Sequence, residues 1–107
     1  MKEKLLKIIN HYGVMPQLKY FQSEVFELNE AIIRNKVYDD VVDSDYINES
    51  QIKHIAEEIA DVQVMLDQFQ HYYGIEDKEI EEIMEYKIYR QLGRIINEVN
   101  NENNWFI

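Results

Sequence analysis

Ile52, Ile55, Ile59, Val62, Leu66, Phe69 and Tyr73 recur at steps of three and four residues. That spacing lines one face of an α-helix and fits no strand. Ala56 and Ala60 broaden the stripe. A helix of roughly 24 residues spans about 36 Å, which is long for a chain of 107 residues. One small chain can hardly cover such a face alone, so the stripe predicts a helical bundle completed by pairing of chains, as a homodimer or a homotetramer.

The remaining sequence offers strands little. Three glycines, one proline and almost no alternating pattern give an all-α, single-domain reading over residues 1–107. Leu5, Leu6, Ile8, Ile9 and Tyr12 define a short first helix over about Lys2 to Tyr12, with Gly13 as its C-terminal cap. Pro16 suits the first turn of a second helix running to about Lys36, in which Leu18, Phe21, Val25, Leu28 and Ile32 make the apolar stripe. Val37 to Ser50 interrupts the period with Asp39, Asp40, Asp43 and Asp45 and is expected to be a solvated loop. It is no EF-hand, because Asp43-Ser44-Asp45-Tyr46-Ile47-Asn48 lacks both the third alternating ligand and the glycine. Asn48 or Ser50 then caps the third helix, which ends near Tyr73 at Gly74. Asp77 caps a fourth, with Ile80, Met84, Ile88, Leu92, Ile95 and Val99 as its stripe. Gly93 costs a helix about 1 kcal/mol relative to Ala, so a close approach of backbone or ligand is expected there. Residues 97–107 read as a fraying end that docks Trp105 and Phe106.

The formal charge of −10 argues against a nucleic-acid polymer as partner, since such binding rests on Lys and Arg neutralising phosphates. A small phosphorylated ligand fits if metal ions supply the positive charge. No apolar run reaches the roughly 18 residues of a membrane span, and the N-terminus leads into an amphipathic helix rather than a signal peptide. Together with the absence of cysteine, this reads as a cytoplasmic protein without a membrane partner.

Two carboxylate pairs stand out. Glu24 and Glu27 lie three residues apart beside the stripe of the second helix, and Glu58 and Asp61 repeat that geometry on the third. Packed antiparallel, the two helices bring four carboxylates to one edge of their interface, an arrangement that calls for a cation. His11, His54 and His71 lack zinc-ligand spacing. A ferritin-like di-iron site is excluded too, because Ile8, Gln51 and Gln68 stand where Glu-x-x-His would need its glutamate. An all-oxygen site suits a hard ion, Mg²⁺ or Mn²⁺.

The run Glu24-Val25-Phe26-Glu27-Leu28 followed by Glu58-Ile59-Ala60-Asp61-Val62 resembles the motif of the MazG-like all-α nucleoside triphosphate pyrophosphohydrolases, Glu-Glu-x-x-Glu, a spacer, then Glu-x-x-Asp. Gln17 and Phe21 before the first pair, Ala31-Ile32 after it and the basic stretch from Lys87 to Arg94 agree with it, so the resemblance spans about Gln17 to Arg94. Ser23 departs from it, standing where the family has the first glutamate of its pair. The resemblance implies a MazG-like helical bundle and hydrolysis of an NTP or dNTP to the monophosphate and pyrophosphate. It implies Glu24, Glu27, Glu58 and Asp61 as metal ligands, with Glu24 or Glu27 orienting the attacking water. Gln17, Lys87, Arg90 and Arg94 are the implied substrate-binding residues. Tyr72, Tyr73 and Trp105 are candidates for stacking on a base, whereas Tyr12 and Met65 read as packing and His54 as a polar edge residue. A reading of a different class is a non-catalytic helical module whose acidic face binds a basic partner; such a module needs no Mg²⁺.

Overall fold

The structure, a computed structural model, describes residues 1–41 and 49–104. They form four helices, α1 (Lys2–Tyr12), α2 (Val14–Val41), α3 (Glu49–Tyr72) and α4 (Asp77–Asn104). The described residues contain no strand, as an all-α chain requires. None of these helices is long and apolar enough to cross a membrane.

Glycine sets two of the helix ends. Gly13, at φ 93°, donates its N–H to the Ile9 carbonyl at 2.8 Å, and Gly74, at φ 67°, donates to the His71 carbonyl at 3.1 Å. Side chains disfavour positive φ, so both positions suit glycine. Pro16 sits in the first turn of α2, where a missing N–H costs no intrahelical bond.

Three expected boundaries move. α2 continues past Lys36 to Val41, and Glu49 and Ser50 already belong to α3. α4 likewise runs on from Asn97 to Asn104. Asp and Asn end neither α2 nor α4 at the expected place, because either lowers helix propensity by only about 0.7 kcal/mol and interrupts nothing sterically, as Pro does. Asp43, Asp45, Asn48, Trp105 and Phe106, which carried the rejected calcium loop, one proposed cap and the docked end, lie outside the described residues.

The chain divides into two compact parts, 1–74 and 75–107. In the first, α2 and α3 run antiparallel, because Gln17 meets Gln68 at one end and Asn35 Nδ2 donates to Gln51 Oε1 at 3.1 Å at the other. Phe21 and Phe69 pack edge to face with centroids 5.8 Å apart. α1 packs on both helices and buries Leu5 and Ile9.

The seam between α2 and α3 does not follow the middle of the apolar stripes. The buried row of α2 is Gln17, Glu24 and Ala31, one residue in seven, and it faces Glu58, Met65 and Gln68 of α3. Phe21, Val25 and Leu28 flank this row half-buried, while Leu18 and Ile32 are exposed. On α3, Ile55, Val62 and Phe69 are half-buried and Ile52, Ile59 and Leu66 exposed. One ridge of each helix thus meets the other, with small Ala31 permitting close approach.

The second part is α4. Its Arg90 guanidinium lies 5.8 Å from the centroid of the Tyr86 ring, and Arg94 Nη1 donates to Gln91 Oε1 at 3.4 Å. Ile80 is half-buried, but Met84, Ile88, Leu92, Ile95 and Val99 are exposed. A Cβ placed on Gly93 meets nothing within 4 Å, so the close approach expected at that glycine is not found among the described residues.

Candidate metal centre

Glu24 and Glu27 occupy successive turns of α2, and Glu58 faces them from α3. The antiparallel register brings one carboxylate oxygen from each within 4.8 Å of the others. Glu24 is only 4% exposed and Glu58 8%, whereas Glu27 is open to solvent. The Oε2 atoms of Glu24 and Glu58 are buried without a hydrogen-bond partner among the described residues. A buried oxygen left in that state costs about 1–3 kcal/mol, and a hard cation is the partner that would satisfy both at once. The donor set, three carboxylates with neither sulfur nor imidazole, fits Mg²⁺ or Mn²⁺.

The surroundings register the crowding of negative charge. Burial pushes the Glu58 carboxyl above the usual carboxylate range, and Glu27, Asp61 and Glu24 push it the same way. His54 opposes them, with Nε2 at 3.8 Å from Glu58 Oε1. Tyr20 is raised as well, first by the hydrogen bond between its hydroxyl and the Glu24 carboxylate and then by the charge of Glu24 itself.

Asp61, the fourth expected ligand, is exposed and stands outside the converging set found among the described residues. It remains close: it lines a cavity together with Glu24, and its charge is felt by Glu58 and Tyr20. That cavity, of about 620 Å³, extends from the acidic cluster between α1, α2 and α3. Gln17, an expected substrate residue, is buried in its wall and donates from Nε2 to Gln68 Oε1 at 2.8 Å.

Gln68 and Tyr20 escaped the sequence reading. Their only signal was spacing, since Gln68 falls three residues beyond Met65 and Tyr20 four before Glu24. Tyr12 and Met65, read as packing, also line the cavity. The aromatic pair Tyr72 and Tyr73 instead packs edge to face at 5.1 Å, exposed at the end of α3 and outside the cavity wall. Lys87, Arg90 and Arg94 belong to the separate α4 part, all on exposed positions. No protein-family model matches the chain, and no curated protein or solved structure matches it either.

Proposed function

We propose that this protein is a Mg²⁺-dependent nucleoside triphosphate pyrophosphohydrolase that converts an NTP or dNTP to the monophosphate and pyrophosphate. The observation that carries this reading is the convergence of Glu24, Glu27 and Glu58, with two buried oxygens unpartnered, at the end of a cavity large enough for a small ligand.

Glu24, Glu27 and Glu58 would hold the ion, with Asp61 adding negative charge beside them at the cavity. A bound Mg²⁺ supplies positive charge against the phosphates and lowers the pKa of water. Glu24 or Glu27 orients the water that attacks the α-phosphorus and takes its proton. The bond from that phosphorus to its bridging oxygen breaks, and pyrophosphate leaves. Gln17 binds the substrate from the cavity wall. Pairing of chains, as a dimer or tetramer, belongs to the same reading and is supported by the large apolar side chains left exposed in the first part, among them Phe26, Ile33 and Leu66.

The test is a panel of NTPs and dNTPs with Mg²⁺, and again with EDTA, in which pyrophosphate and orthophosphate are assayed separately. Pyrophosphate that appears only with the metal supports the reading. Orthophosphate alone, or no turnover across the panel, overturns it.

A further inference from the structure

The geometry points to a distinct role for the cavity wall: the interlocked amides of Gln17 and Gln68 read the hydrogen-bonding edge of a nucleobase, and this pair determines which nucleotide is taken. The inference rests on the nucleotide reading above for the link between base and phosphates.

The two amides are an unusual thing to bury. Gln17 is 7% exposed and Gln68 2%, and an amide side chain offers two donor hydrogens and an acceptor oxygen. The Gln68 oxygen is well served by Gln17 Nε2 at 2.8 Å, yet the Gln68 nitrogen donates to Met65 Sδ at 3.6 Å. A thioether is a weak acceptor. A carbonyl oxygen or ring nitrogen of a ligand would serve that donor better. Beyond the bond it gives to Gln68, Gln17 keeps its oxygen and one N–H without a partner among the described residues. The pair therefore presents donor and acceptor groups together, the complement of a base edge that carries an acceptor beside a donor.

The cavity around them suits the body of such a ligand. Its volume of about 620 Å³ lies in the range of small-molecule sites. Ile8, Val64 and Met65 make its apolar surface, and Tyr12 and Tyr20 contribute aromatic rings. Charge is confined to the Glu24 and Asp61 end, where a bound cation would draw the phosphates, and the amide end is left for a neutral ring. Glu24 lines the same cavity as both amides, so one ligand can reach the acidic cluster with its phosphates while its base meets Gln17 and Gln68. The hydrogen bond that Gln17 donates to Gln68 also holds the two amides together before a ligand arrives, and such preorganisation raises selectivity.

The experiment uses the full chain labelled with ¹⁵N, with the side-chain amide resonances of Gln17 and Gln68 assigned through their own backbone signals. Adenosine, guanosine, cytidine and uridine are titrated in separately, and inorganic tripolyphosphate with Mg²⁺ serves as the base-free probe. The expected result is that at least one nucleoside moves both amide resonances, whereas tripolyphosphate does not. In a parallel assay, Gln68→Met lowers the ratio of kcat/KM between the best and worst nucleoside triphosphates roughly five- to hundredfold, the worth of one two-point base contact. Amides that respond to a nucleoside in a protein that hydrolyses no triphosphate would uphold this inference and remove the pyrophosphohydrolase reading. Turnover of triphosphates with both amides unmoved by every nucleoside would do the reverse. The wild-type titration decides the matter even if the variant fails to fold.

Discussion

Replacing Glu24 by Gln should make the metal-free protein more stable and the metal-loaded protein less so. Glu24 is buried, one of its oxygens lacks a partner, and one lies within 4.8 Å of an oxygen of Glu27. At that distance two unit charges repel by about 3.5 kcal/mol at an effective dielectric of about 20 and by about 1 kcal/mol in bulk water. Glu27 is exposed, so the lower figure applies. Gln keeps the side-chain length and an oxygen that accepts from the Tyr20 hydroxyl, and it removes the charge. A gain of about 1 kcal/mol corresponds to a rise in Tm of roughly 4–8 °C for a domain of this size. With Mg²⁺ at a hundred times its Kd, the wild type gains about 2.7 kcal/mol by linkage, which the variant largely forfeits with its ligand. The order of the two proteins therefore reverses between EDTA and saturating Mg²⁺. Differential scanning calorimetry at one fixed protein concentration measures this directly. A Glu24→Gln protein that melts below the wild type in EDTA, or gains as much from Mg²⁺, refutes the convergent cation site.

Three other expectations follow from the same structure. Because the folded-state pKa of Glu58 is raised, its native form binds a proton more tightly than its unfolded form; its contribution to stability is full below the ordinary value of 4.5 and is lost as pH rises through the folded value. In EDTA the wild type should thus lose more stability than Glu58→Gln between pH 4.5 and neutrality, and parallel Tm profiles would contradict this. Gly93→Ala should stabilise the protein by about 1 kcal/mol, since the added methyl meets nothing within 4 Å; a fall in urea midpoint would show that α4 is covered at that point in solution. Light scattering at micromolar concentration should give a dimer or tetramer, whereas a monomer would mean that the exposed apolar side chains of α2 and α3 need no second chain.

Helix number and type were legible because the residues that stop helices are few, and Gly13 and Gly74 stand where α1 and α3 give out. The meeting of Glu24, Glu27 and Glu58 was legible too, since i,i+3 spacing and an antiparallel pair suffice to place them. Hydropathy misled about the seam. It marks the face of a helix that avoids water without saying what covers that face, and it placed Glu24 at a border when Glu24 lies in the buried row with Gln17 and Ala31. Gln17 and Gln68 were invisible as an interior pair because a single hydrogen bond between residues 51 apart in sequence joins them; burying one amide alone is costly, burying two that share a bond less so. Asp61 shares its helix with Glu58 but points far enough round to remain exposed, a rotation that a motif does not encode.

The buried row also has a consequence for how the chain reaches its fold. Glu24 and Glu27 come from α2 and Glu58 from α3, so closing these two helices is the event that brings the like charges of the two helices together, and a divalent cation held by all three would change the free energy of that event. On the proposed Mg²⁺ site, a pair that has closed in the transition state for folding would make Mg²⁺ accelerate refolding; one that closes afterwards would make the ion slow unfolding and leave the refolding rate unchanged. The acidic cluster would thereby give the helix pair a built-in kinetic reporter, with the metal ion in the part that mutations play in mapping a folding nucleus.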